Sequence, residues 1–514
     1  MLFRGATLLL CALLAAGEAE WKPEQWQPTG TRFYDDATLR AAVSSHSPRT
    51  WFPLITKLRS GRAITVVTLG SSVTDGSHGN FFSSRDAVFG TGVRALSDSD
   101  KTWCPPQGAC TQEGSVRDLM EYINTSWPHV NHTLINLGKA GASLDYFLSA
   151  CAGGRLPHTA DLLVFQNHMD KATCGENAGC AGQAGVSVVE QLHHRLDSTL
   201  STDSDTHPIP LVVMSYLWVT DPLDDVSSWA VGNNRRKCGG PTWPHRMESS
   251  LREPSLEDHL LPAAAYYGWS ALSLRNAMWA GLRDHDLGRL NVTECEYASI
   301  FLGDQIHPSH AGMRFMGDAL VALLRSSLAA YQPDALQYAH RPSSPFTAGT
   351  WSWGRRSCTD AAHFNPHSAY GWEYVESENA VDHATNTTRR IAKPGFVATR
   401  AGASAVIVVS TRFPHVDRRA TSEVRVHYLT SYEHMGDAVV SCVDGCKCDP
   451  TRLVGTVTEL ISVTAHTILN VTQSTRCNLR FEVVASSKGS KFKLLFLEVV
   501  APSLLTPART DKPR

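Results

Sequence analysis

The stretch Ile64-Thr65-Val66-Val67-Thr68-Leu69-Gly70-Ser71-Ser72-Val73-Thr74 joins an apolar, β-branched run to a Gly-x-Ser turn. The run has the composition of a strand buried on both faces. A tight turn at the end of such a strand can lift a serine out of the sheet as a nucleophile. Gly and Ser also build ordinary turns, so the meaning of Ser72 depends on the residues downstream.

Outward from this turn, residues 51 to about 330 alternate strand-like and helical patterns. The strand candidates are Ile64–Leu69, Thr133–Leu137, Asp161–Gln166 and Pro210–Ser215, with a shorter one near Ala298–Leu302. Helical spacing of apolar residues marks Val116–Trp127, Val186–Leu200, Ala263–Leu282 and Ser309–Ala330. Such alternation implies an α/β fold with a parallel sheet covered on both faces, whose active groups gather at the carboxyl ends of the strands. Residues 75–114 and Leu217–Pro262 interrupt the pattern as long loops, a form usual for lids and insertions.

Beyond residue 340 the character changes. Arg341-Pro342-Ser343-Ser344-Pro345 reads as a linker. Runs rich in Val, Thr and Ser follow at Ala405–Thr411, Ser422–Leu429, Ala438–Cys442, Leu460–Val471, Leu479–Ala485 and Phe492–Val500. Several alternate with period two, which predicts an antiparallel β-sandwich or jelly roll.

The chain opens with one basic residue, Arg4, then an apolar run from Ala6 to Ala16 and small residues at Gly17 and Ala19. That is the pattern of a secretory signal peptide, too short to span a bilayer. No later segment reads as a membrane span. Loss of the leader removes Cys11 and leaves twelve cysteines, an even number suited to disulfides. Sequons at Asn124, Asn131, Asn291, Asn386 and Asn470 agree with a secreted glycoprotein. The formal charge of −2 leaves no basic face for nucleic acid and no polybasic membrane patch.

Cysteine parity adds a long-range constraint. Seven mature cysteines precede residue 340 and five follow it. With all oxidised, at least one bridge crosses the linker, and Cys358 beside it is the candidate. Cys104/Cys110 and Cys174/Cys180 are spaced to staple single loops. A zinc site at Cys442, Cys446 and Cys448 is the competing reading of that cluster, disfavoured by an oxidising compartment.

A serine nucleophile needs a base, an orienting acid and an oxyanion hole. Asp304-Gln305-Ile306-His307 offers the acid and base on one side of a turn. Asp75/His78 and Asp360/His363 share the spacing. The first lies too close to Ser72 to fold back on it, and the second lies beyond the linker. Asp304 and His307 sit between the last strand candidate and the last helix of the α/β region, where a loop at the sheet's carboxyl edge belongs. A helix N-cap ahead of Pro308 is the competing role for Asp304.

Four blocks together resemble the SGNH, or GDSL, hydrolases. Gly70-Ser71-Ser72-Val73-Thr74 is similar to their nucleophile block, and Asn136-Leu137-Gly138-Lys139-Ala140-Gly141 to their second. Gln166-Asn167-His168 is similar to the third, and Asp304 to His307 matches the last. Ser71 replaces the usual Asp, Phe165 or Gln166 stands where the third block has Gly, and His168 replaces its Asp. The resemblance implies Ser72, Asp304 and His307 as the catalytic set. It implies the backbone N–H groups of Ser72 and Gly141 and the side chain of Asn167 as the oxyanion hole. It also implies a flavodoxin-like three-layer parallel sheet, the SGNH hydrolase fold, ahead of the antiparallel β-sandwich, as in secreted members carrying a C-terminal β-domain.

The expected organisation is a signal peptide at 1–19, a catalytic unit at 50–335, a linker at 336–357 and a β-sandwich at 358–502, a possible binding module. The expected activity is extracellular hydrolysis of short acyl esters, O-acetyl among them, on a carbohydrate or glycoconjugate. No metal or organic cofactor is implied. An O-acyltransferase with the same triad, or a non-catalytic matrix or wall protein retaining the fold, are the alternatives.

Overall fold

Six strands form the first sheet: β1 (Val43–Ser45), β2 (Thr65–Gly70), β3 (Thr133–Asn136), β4 (Leu162–Asn167), β5 (Leu211–Ser215) and β6 (Ser270–Ser273). The computed structural model describes residues 36–75, 115–138, 146–147, 151, 159–167, 183–200, 209–215, 256–283, 310–333, 344–346, 356–382 and 387–501, less 415, 418, 433, 458–461 and 485–488. The strand order is β1-β6-β5-β4-β2-β3. Strands β2 to β6 run parallel, and β1 joins the β6 edge antiparallel. Counted along the chain, the parallel strands stand in the flavodoxin-like order 2-1-3-4-5.

Alternate residues of these strands part between two cores, as side chains of period two must. Val66, Leu162, Val164, Val212, Met214 and Leu272 pack with helices Phe52–Arg59, Val116–Ser126, Leu274–Arg283 and His310–Ala329. Val67, Leu69, Leu163, Phe165, Leu211 and Val213 pack with helices Gln183–Leu200 and Leu256–Tyr267. Each such buried aliphatic contributes roughly 1.5–3 kcal/mol, and burial on both faces explains the unbroken apolar runs in the sequence.

The expected helix Ala263–Leu282 is instead a helix, a strand and a second helix: Leu256–Tyr267, β6 and Leu274–Arg283. Gly268, at φ 69°, ends the first helix, and a Cβ there would lie 2.8 Å from Thr50 Cγ2. A four-residue strand with no polar side of its own cannot be told from helix by periodicity. Helix Leu256–Tyr267 also occupies the end of the expected Leu217–Pro262 loop. The strand expected near Ala298–Leu302 lies outside the described residues.

The second part consists of β7 (Arg356–Asp360), β8 (Pro366–Tyr370), β9 (Trp372–Asp382), β10 (Thr387–Ala398), β11 (Ser404–Val409), β12 (Thr421–Ser431), β13 (Asp437–Asp444), β14 (Thr451–Leu453), β15 (Ser462–Thr472), β16 (Cys477–Val484) and β17 (Phe492–Val500). One antiparallel sheet runs β15-β12-β17-β10-β9, with β7 also on β17, and the other runs β14-β13-β16-β11-β8. Val424, Val426, Leu497 and Val499 from the first meet Ala405, Ile407, Leu479 and Phe481 from the second in one core, which makes a β-sandwich. The sequence pattern did not mark β7 to β10. Their partly buried, charge-bearing stretches, such as Trp372-Glu373-Tyr374-Val375-Glu376, lack clean alternation.

The two parts are tied together. Cys358 on β7 bridges to Cys151, so the disulfide expected across the linker is present. Phe496 of β17 enters the second α/β core, with its ring 5.6 Å from that of Tyr146. The Phe346 N–H donates to buried Glu190, and the Tyr266 hydroxyl donates to the Ser344 carbonyl at 3.0 Å. Cys442 bridges Cys448 and Cys446 bridges Cys477. This is the disulfide reading that the sequence favoured over zinc for the cluster. Cys104, Cys110, Cys174 and Cys180 lie outside the described residues. Among the described residues no helix is long and apolar enough to cross a membrane.

Candidate active site

The order 2-1-3-4-5 places its topological switch between the adjacent strands β2 and β4, and ligands of open α/β sheets bind outside the carboxyl ends at such a point. The Gly70–Asp75 turn leaves β2 there. Asn136 ends β3 and Asn167 ends β4 at the same edge of the sheet. The structure thus brings three of the sequence blocks to one edge. Gly141, His168, Asp304 and His307 lie outside the described residues. The rival pair Asp360/His363 forms a local cap: Asp360 Oδ1 accepts from the His363 N–H at 3.2 Å and from its Nδ1 at 2.6 Å, both groups exposed.

The local structure of the turn follows from its residues. Gly70 (φ 156°) pairs in register with Gln166. A Cβ on Gly70 would lie 2.1 Å from Thr74 Oγ1 and 2.4 Å from the Gln166 carbonyl oxygen. Only glycine permits that approach. Residues 72–75 then form one helical turn, with the Thr74 N–H donating to the Ser71 carbonyl at 3.1 Å. Ser71, Val73 and Thr74 are each at most 4% exposed, so the turn commits these three residues to the interior. Gly70→Ala is expected to lower stability by about 2–3 kcal/mol, because the backbone oxygen of Gln166 cannot yield without displacing β4. A urea unfolding series compared with wild type measures it.

Beneath the turn lies a buried polar network. The Thr74 hydroxyl donates to Gln166 Oε1 at 2.7 Å, and Gln166 Nε2 donates to Ser115 Oγ at 2.8 Å. Asn136 Nδ2 donates to the Thr74 carbonyl at 2.5 Å. Asn136 Oδ1 in turn accepts from Thr68 Oγ1 at 3.2 Å and from the Gly138 N–H at 2.8 Å. Each buried polar atom here has a partner, which offsets its desolvation. Thr74 and Asn136 lie inside the quoted sequence blocks, but the pattern gave them no role. Gln166 read only as a departure from glycine. Ser115 had no signal, because it follows a long loop.

Asp118 stands at the start of helix Val116–Ser126, three residues past Ser115. Its carboxyl is pushed up to about 7, chiefly by burial; Arg314 opposes the rise and Asp318 and Glu121 add to it. Helix His310–Ala329 presses against it at Gly317, where a Cβ would lie 2.3 Å from Asp118 Oδ2 and 2.8 Å from the Ser115 carbonyl oxygen. The sequence reading did not single out Asp118. A carboxyl at a helix start is commonplace, and the close approach of the last helix at Gly317 joins residues about 200 positions apart in sequence.

The chain matches solved structures of a two-domain esterase active on acetylated mannans. The form co-crystallized with mannopentaose and the form without it each align with TM-score 0.54 at 12% identity over 90% of this chain. The alignments cover 98% and 99% of the respective neighbour chains. At that identity the likeness establishes a shared two-part fold. No family model matches the sequence, and neither does any curated protein.

Proposed function

We propose that this protein is a secreted serine esterase of the SGNH type that removes short acyl groups, acetyl foremost, from an acylated polysaccharide or glycoconjugate. The observation that carries the reading is the convergence of the Ser72 turn, the end of β3 and Asn167 at the switch point of a 2-1-3-4-5 sheet. The fold shared with an esterase active on acetylated mannans supports the substrate class. The bridge between the two parts supports passage through an oxidising compartment.

In this reading Asp304 holds His307 through Nδ1–H, and His307 Nε2 takes the proton of Ser72 as its oxygen attacks the ester carbonyl. The N–H groups of Ser72 and Gly141 and the Asn167 side-chain amide donate to the oxyanion. Loss of one such donor costs roughly 3 kcal/mol of transition-state stabilisation. His307 returns the proton to the leaving sugar oxygen. It then deprotonates the water that attacks the acyl-enzyme, and carboxylate and free Ser72 result.

The test is acetate release from acetylated mannan and from acetylated xylan, alongside p-nitrophenyl acetate hydrolysis and labelling by a fluorophosphonate. The expected result is release from at least one polymer and label on the Ser72 peptide. A folded protein that releases no acetate, leaves the chromogenic ester intact and takes no label would overturn the proposal.

A further inference from the structure

We infer that Thr74 is a positioning residue which locks the turn of the proposed nucleophile to the ends of the two strands beside it, β3 and β4. The inference rests on the esterase reading above and extends it to residues outside the catalytic set. Thr74 lies two residues after Ser72 in the same helical turn. Its hydroxyl donates to Gln166, the residue before Asn167 on β4. Its carbonyl accepts from Asn136, which ends β3 and also holds the Gly138 N–H on the way to Gly141. One residue therefore fixes the height of the Ser72 turn against the neighbouring strand ends on its two sides.

The remaining contacts make the lock rigid. Gln166 is 2% exposed, and its other amide end is held by Ser115 Oγ at 2.8 Å, beside Met214 Sδ at 3.8 Å. Thr74 is itself 2% exposed, and the absence of a Cβ at Gly70 lets its hydroxyl approach Gln166. Acyl transfer is sensitive to this geometry, because a displacement of about 1 Å between reacting groups can cost on the order of 100-fold in rate. Burial of a threonine hydroxyl between two strand ends serves that registration. A valine of equal size would serve the packing alone.

The experiment compares Thr74→Val, Thr74→Ser, Gln166→Leu and Thr74→Val/Gln166→Leu in p-nitrophenyl acetate kinetics, with folding checked by circular dichroism. Thr74→Val and Gln166→Leu are each expected to lower kcat by roughly 10- to 100-fold with KM within about twofold of wild type. Thr74→Ser is expected to keep kcat within about threefold, since the hydroxyl is retained. The double variant is expected to be no slower than Gln166→Leu alone, because both changes break one lock. An active wild type whose Thr74→Val form keeps its kcat, or whose Thr74→Ser form is as slow as Thr74→Val, would overturn this inference and leave the esterase reading standing. Should Thr74→Val not fold, Gln166→Leu and Thr74→Ser decide on the same criteria. A folded wild type with neither turnover nor fluorophosphonate label removes the esterase reading and this inference with it.

Discussion

Ser72→Ala is expected to lower kcat for p-nitrophenyl acetate by about 10⁴-fold or more, while changing the unfolding free energy by less than about 1 kcal/mol. The asymmetry follows from the turn. Ser71, Val73 and Thr74 face the interior and carry its packing, and Thr74 carries its long-range hydrogen bonds. Position 72 opens the helical turn and is the one residue of the four that the proposed chemistry uses. Removal of its hydroxyl deletes the acyl-enzyme route. The oxyanion donors stay in place and sustain a residual acceleration of roughly 10³–10⁴ over water. Stopped-flow measurement is expected to show a burst of p-nitrophenolate in wild type and none in the variant. A variant that hydrolyses within tenfold of wild type would remove Ser72 from the mechanism.

How far the sequence disclosed this arrangement depends on where each residue finds its partners. β2 and β4 were legible because both their faces are buried, so Val66-Val67-Thr68-Leu69 and Leu162-Leu163-Val164-Phe165 read as continuous apolar runs. β6 was not, since Ser270-Ala271-Leu272-Ser273 is buried among helices whose own apolar residues surround it in sequence. The strand ends that precede Ser72 and carry Asn167 were legible because each closes one of these apolar runs. Thr74 and Gln166 were not: their bond spans 92 positions, and nothing local to either residue specifies the other. The bridge at Cys358 shows the same limit. Odd counts on the two sides of the linker required a crossing disulfide, but parity carries no geometry, so Cys151 emerged only from the packing of β7 against the α/β part.

Asp118→Asn is expected to stabilise the protein by up to about 4 kcal/mol at pH 8 and to change little at pH 4. The folded-state carboxyl titrates at about 7, against 3.8 for an ordinary aspartate. Between those values the folded state holds a proton that the unfolded chain has released. Stability from this group is therefore fully present below about pH 4 and is lost as pH rises toward 7, with a total near 4 kcal/mol. Asparagine carries no charge at any pH and escapes the loss. The wild-type profile alone would obscure the effect, because His46 works in the opposite sense. Burial holds its ring down at about 4, between Ser270 Oγ and Ser327 Oγ, so its contribution is present above about 6.5 and fades as pH falls toward 4. The difference between variant and wild type cancels His46 and isolates Asp118. Thermal unfolding of both proteins at pH 4, 6 and 8 reads it directly. No gain at pH 8, or a loss of stability there, would mean that Arg314 keeps Asp118 as a favourably paired carboxylate and that burial does not neutralise it.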